Sequence, residues 1–138
     1  MEKELQLNDQ VKAYFQEIGK WARFLGIVGY IGIGLLLVVS FAVPYFISFL
    51  GASELSQIPP STLATVYFIL AGVYFFPVNY LYKFGVKIKS SMAHADEISF
   101  EEAVKNLKSH YKFIGVFTLI LISMYGFIFV MSLIAFLF

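Results

Sequence analysis

Residues 24–53 read FLGIVGYIGIGLLLVVSFAVPYFISFLGAS, thirty residues without a single charge. An uncharged apolar run of roughly 18 or more residues has the length and composition of a transmembrane helix. Hydrocarbon offers the backbone no water, so such a run must be helical. Two further runs repeat the pattern, Leu55 to Tyr82 and Phe113 to Phe138, and the three together take up 84 of the 138 residues. The expected fold is an all-α membrane protein with three transmembrane helices, at about 24–46, 60–82 and 113–137.

What flanks the runs sets the orientation. Charged residues are 14% of the chain, about half the share of a soluble domain, and all but Glu54 are confined to two segments. Lys3, Lys12, Lys20 and Arg23 precede the first run; Lys83, Lys87, Lys89, Lys105, Lys108 and Lys112 lie between the second and third. The connection between the first two runs has no basic residue, and none follows the third. Basic residues in short flanking segments stay on the cytoplasmic side, so the N-terminus is expected inside and the C-terminus outside. Trp21, Arg23, Lys83 and Lys112 are the expected interface anchors. The N-terminus alternates acid and base, and its apolar run starts late, so the first span is expected to be an uncleaved anchor. No lipidation motif appears.

The length fits one domain, 1–138, in which 1–23 and 83–112 form a cytoplasmic helical extension (helices at about 9–23, 83–94 and 99–112). Asn8 or Asp9 suits a helix cap, and no breaker separates this segment from the first span. One long helix is expected from about 9 to about 43, with Pro44 kinking or ending it. Leu7, Val11, Tyr14, Ile18, Trp21 and Leu25 recur at alternating spacings of four and three, the heptad seam of a helix packed on another helix. The outer loop, 51–60, ends in a Pro pair suited to a helix start. Pro77 is expected to bend the second span near the inner interface. Ser99-Phe100-Glu101-Glu102 reads as a capping box, and Phe100, Val104, Leu107 and Tyr111 give the following helix an apolar face.

Chemistry is harder to find. No cysteine is present, which excludes disulfides, thiol nucleophiles and thiolate metal sites. None of the spans holds Asp, Glu, Lys, Arg or His, the residues that ion-coupled transporters and proton relays use. Asn79, just after Pro77, reads as an interfacial amide satisfying the kink, or as a ligand contact at a broken helix. His94 and His110 are sixteen apart and read as solvated; convergence with Asp96, Glu97, Glu101 or Glu102 would be needed for a metal site. No phosphate loop, nucleophile–base pair or metalloenzyme motif is present. No cofactor and no nucleic-acid partner is expected.

Small residues give the sharpest positional signal. Gly19, Ala22, Gly26 and Gly29 fall on one helix face, with Gly32 and Gly34 beyond. In lipid, helices associate by packing, and small residues let them approach closely. The face is expected either to meet small residues of the other spans (Ala64, Ala71, Gly72, Gly115, Gly126) or to self-associate.

Three interfacial patterns occur together: Gly19-Lys20-Trp21-Ala22-Arg23-Phe24-Leu25-Gly26, Phe76-Pro77-Val78-Asn79-Tyr80-Leu81-Tyr82-Lys83-Phe84, and Leu107-Lys108-Ser109-His110-Tyr111-Lys112-Phe113-Ile114-Gly115. In them the chain resembles, over residues 10 to 130, an uncharacterised family of small bacterial integral membrane proteins, a domain of unknown function. The resemblance implies a bacterial inner membrane and the same three-span topology; it transfers no activity and no catalytic residue. The expected role is a non-enzymatic assembly, accessory or regulatory element working through helix–helix contacts, with lipid as one partner and a homo-oligomer or a larger membrane complex as the setting. The alternative is a small oligomeric pore or facilitator lined by Ser, Thr, Tyr and Asn.

Overall fold

A computed structural model describes residues 6–51 and 58–138. Three α-helices account for nearly all of them: α1 (Asp9–Leu50), α2 (Pro60–His94) and α3 (Glu97–Leu137). Each is long and apolar enough to cross a membrane. At 1.5 Å per residue the 42 residues of α1 span about 63 Å, roughly twice the hydrocarbon thickness. The chain is an all-α, multi-pass membrane protein whose helices continue well beyond the lipid.

Local chemistry sets the helix ends. The Asn8 side chain accepts from the Val11 amide at 2.8 Å, and α1 closes at Gly51 in the left-handed conformation, φ 61°, which glycine adopts without a Cβ penalty. Pro60 occupies the first turn of α2, where its missing N–H costs nothing. Pro44 and Pro77 both lie inside uninterrupted helices, so of the two expectations for Pro44, a kink or an end, the end is corrected: α1 runs six residues further. The expected outer loop falls largely on residues 52–57, outside the described residues.

The turn between α2 and α3 is two residues long. Ala95 is left-handed (φ 49°, ψ 41°), a conformation that costs an L-residue about 1–2 kcal/mol relative to the right-handed one. Hydrogen bonds hold it there. The Ala95 and Asp96 amides both donate to the Ser91 carbonyl, and the buried Ser91 hydroxyl donates to the Asp96 carbonyl at 2.8 Å. Asp96 then caps α3, accepting from the Ile98 amide and from the Ser99 hydroxyl at 2.6 Å. The capping box expected at Ser99 is therefore corrected. Asp96 is the cap, α3 starts at Glu97, and Ser99 is a donor within the first turn.

α2 is the middle helix, packed on α1 along one side and on α3 along the other. Its densest surroundings lie where the three helices continue past the uncharged runs. There Phe84, Ile88, Ala22 and Ala103 are buried together, with Phe15, Leu81, Met92, Phe100 and Leu107 closing around them. Phe15 of α1 meets Phe100 of α3 edge-on at 5.7 Å, and Lys87 of α2 pairs with Glu102 of α3. This three-helix stalk is where the core sits.

Candidate functional site

The α1–α2 contact begins in the stalk and continues into the lipid-spanning part. Its geometry is set by residues without side chains. A Cβ on Gly19 would lie 2.6 Å from Ile88 Cγ2, one on Gly26 would lie 2.9 Å from Tyr82 Cα, and one on Gly29 would lie 2.7 Å from Val78 Cγ2. As numbering rises along α1 it falls along α2, so the helices run antiparallel with backbones nearly touching. Gly19, Ala22 and Gly26 are buried here. The partner surface is Val78, Tyr82, Gly85 and Ile88, not the small residues Ala64, Ala71, Gly72, Gly115 and Gly126 suggested by composition; nothing lies within 4 Å of where a Cβ on Gly72, Gly115 or Gly126 would sit.

Gly85 is the residue that sequence reasoning missed. A Cβ there would meet Arg23 N at 2.5 Å and Gly19 O at 2.8 Å, both backbone atoms that cannot swing aside. Its signal was the spacing Val78, Tyr82, Gly85, Lys89 on a helical face, masked by the lysines around it. Arg23, expected only as an interface anchor, thus also contributes the backbone against which Gly85 packs. Trp21, Lys83 and Lys112 are exposed, and Trp21 stacks edge-on with Phe24 at 5.9 Å.

Two polar links tie the helices where the uncharged runs begin. The Tyr30 hydroxyl of α1 donates to the Asn79 side-chain oxygen of α2 at 3.0 Å. Asn79 therefore joins two helices and does not serve the turn around Pro77. Tyr30 also packs edge-on against Tyr82 at 5.7 Å. On the other side of α2, the His110 Nδ1 of α3 lies 2.7 Å from the carbonyl oxygen of the buried Pro77, which makes Nδ1 the protonated nitrogen. The expectation that both histidines are solvated is corrected for His110; His94 is exposed and bonds the Ser90 carbonyl within its own turn. The stack Phe76–Phe113–Phe117 carries the α2–α3 contact one further turn.

The heptad seam is the main reversal. Tyr14, Ile18, Trp21 and Leu25 are not the packed face of α1; each is about half exposed or more. The packed face is rotated from it and runs through Phe15, Gly19, Ala22, Gly26 and Gly29. Close backbone approach won over side-chain interdigitation. A glycine face brings α1 and α2 nearer than a Tyr/Ile/Trp/Leu ridge could, and from Gly26 onward, inside the uncharged run, nearness is what helix association in lipid rewards.

Catalytic convergence is not found among the described residues: no group of three His, Asp or Glu side chains could hold a metal ion. Ser48, Thr65 and Ser123 each donate to the carbonyl one turn back in their own helix. In the stalk, the Ser99 hydroxyl beside Asp96 holds that carboxyl below its ordinary range. No family model, curated protein or solved structure matches the chain, so the functional reading rests on the residues themselves.

Proposed function

We propose that the chain is a non-enzymatic inner-membrane protein of a bacterium, with its N-terminus and stalk in the cytoplasm and its C-terminus in the periplasm. It acts as an assembly, accessory or regulatory element through helix contacts. The observation that carries this reading is the stalk. The buried core lies outside the three uncharged runs, where three helices build a charged surface, and among the described residues no His/Asp/Glu group that could hold a metal ion lies beside it. A charged projection of this kind is suited to being held by, or holding, another helix-bearing protein. The orientation is read from the basic residues, and the bacterial inner membrane from the resemblance of the three interfacial motifs to an uncharacterised bacterial family.

The pore reading needs polar side chains free to line a path. The hydroxyls of Ser48, Thr65 and Ser123 are engaged within their own helices, and the Asn79 oxygen is engaged by Tyr30, which favours the scaffold. Native mass spectrometry of nanodisc-extracted protein tests the proposal. The expected result is a defined assembly with itself or another membrane protein, together with activity of a reporter fused after Phe138 only when that reporter works in the periplasm. A bare monomer in every lipid, or cytoplasmic reporter activity, contradicts it.

A further inference from the structure

A groove of about 440 Å³ lies between α2 and α3 where the third uncharged run begins. Phe113, Val116, Phe117 and Ile120 line it from α3, at spacings of three, one and three that put them on one helix face. The rings of Phe113 and Phe117 lie stacked along it, 6.3 Å apart. All four residues belong to the uncharged run, so this part of the groove opens into hydrocarbon. The other end is polar, lined by Ser109 and Lys112 of α3 and by Tyr80 of α2. The lining changes from polar to apolar at Lys112–Phe113, where the span itself begins. From Lys112 to Ile120 the apolar part runs about 12 Å along the helix.

We propose that this groove holds an anionic phospholipid, with its phosphate at the Lys112–Tyr80 end and one acyl chain along the phenylalanine wall. This rests on the multi-pass fold and is independent of the assembly role. Charge selects the headgroup. Lys105, Lys108 and Lys112 fall within about 60° of helix rotation, on the side of α3 that carries Ser109 and Val116. No acid follows Glu102 in the sequence, and among the described residues none of the three lysines is in an ion pair. The Ser109 hydroxyl donates to the Lys105 carbonyl at 3.0 Å, so the side-chain donors left at the mouth are the Lys112 ammonium and the Tyr80 hydroxyl. A phosphodiester offers acceptors only, and a charged one makes the stronger bond to an ammonium. Basic pockets between membrane helices take anionic headgroups for this reason. A second copy of the chain is a poorer occupant, because docking through this face would set lysine against lysine.

Native mass spectrometry of the full chain in detergent, with equal amounts of phosphatidylglycerol and phosphatidylcholine of the same acyl chains, tests the site. The expected result is preferential retention of phosphatidylglycerol. Lys112→Gln lowers that retention about fivefold, the worth of one lysine at an anionic surface. Lys20→Gln makes the same charge change on α1, outside the groove, and leaves retention unchanged. Val116→Trp fills the apolar part with every charge kept, and it also lowers retention. Excess inorganic phosphate does not displace the lipid, because the acyl chain is part of what is held. Equal retention of phosphatidylcholine overturns the proposal, as does an undiminished signal in Lys112→Gln or in Val116→Trp. A loss in Lys20→Gln equal to that in Lys112→Gln would show general surface attraction and overturns it too. Displacement by inorganic phosphate would show an anion site without a lipid and likewise overturns it.

Discussion

Past the lipid, three helices share one core; within it, two are clasped and the third stands apart. In the stalk Phe84 and Ile88 are buried almost completely between α1 and α3. In the spans α1 and α2 stay together through glycine contacts and the Tyr30–Asn79 bond, while no residue of α3 from Phe113 onward is buried. The difference follows from the solvent. Water drives apolar side chains together whatever their shape, so the stalk can be held by phenylalanine and isoleucine. Lipid is as apolar as those side chains, so helices adhere there only where backbones come close or polar groups pair across them. α1 and α2 have both devices. The span of α3 has neither in the described residues, and it is tethered to α2 at the end nearer the stalk by His110 and Phe113.

This contrast can be broken first at its strongest point. Phe84→Ala should cost about 3–5 kcal/mol of stability, read by denaturant unfolding in detergent. The same truncation at Phe136, exposed in the α3 span, should cost far less, because lipid or detergent already surrounds that ring. Equal losses would mean that the stalk is not the core.

Gly85→Ala comes next, at about 1–3 kcal/mol, because its Cβ would strike backbone atoms of α1 that cannot rotate away. Gly34→Ala, with nothing within 4 Å, should shift stability by less than about 0.5 kcal/mol in the same assay. Tyr30→Phe keeps the ring packing and removes the bond to Asn79; a loss of about 0.6 kcal/mol is expected in bilayer-mimetic unfolding, the usual worth of such a bond between membrane helices. An unchanged midpoint would show that the close approach alone holds the pair.

The smallest effect concerns the α2–α3 turn. The Asp96 carboxyl sits below its ordinary range chiefly through the Ser99 hydroxyl, then backbone amides and Lys87. A depressed carboxylate stabilises the fold above its unfolded value near ~4, and that contribution is lost as pH falls through the lower folded value. Acid titration of stalk unfolding should therefore show a weakening below about pH 4 that Asp96→Asn abolishes.

The number, class and approximate bounds of the helices were legible in the sequence, because absence of charge over thirty residues has one physical meaning in lipid. The glycine face of α1 was legible too. Its partner was not, since Gly85 lies among lysines and composition pointed to the more apolar glycines further along. The heptad seam misled for an instructive reason: period alone identifies a surface made for a helix, and does not say which helix. His110 was unreadable because its partner is the carbonyl of Pro77, 33 residues away, and a backbone acceptor leaves no mark in the sequence. Asp96 outcompeted Ser99 as a cap because the left-handed Ala95 ends α2 just before it.

The central claim is that the segments beyond the lipid pack into one stalk and do not lie on the membrane surface. Spin labels at Gln16 on α1 and Glu101 on α3, both exposed and each next to a ring of the Phe15–Phe100 pair, test it in nanodiscs. The account predicts a narrow distance distribution within about two helix diameters, ~20–25 Å, with both labels open to a water-soluble relaxation agent and shielded from a lipid-soluble one. A broad, longer distribution with either label immersed in lipid would contradict it.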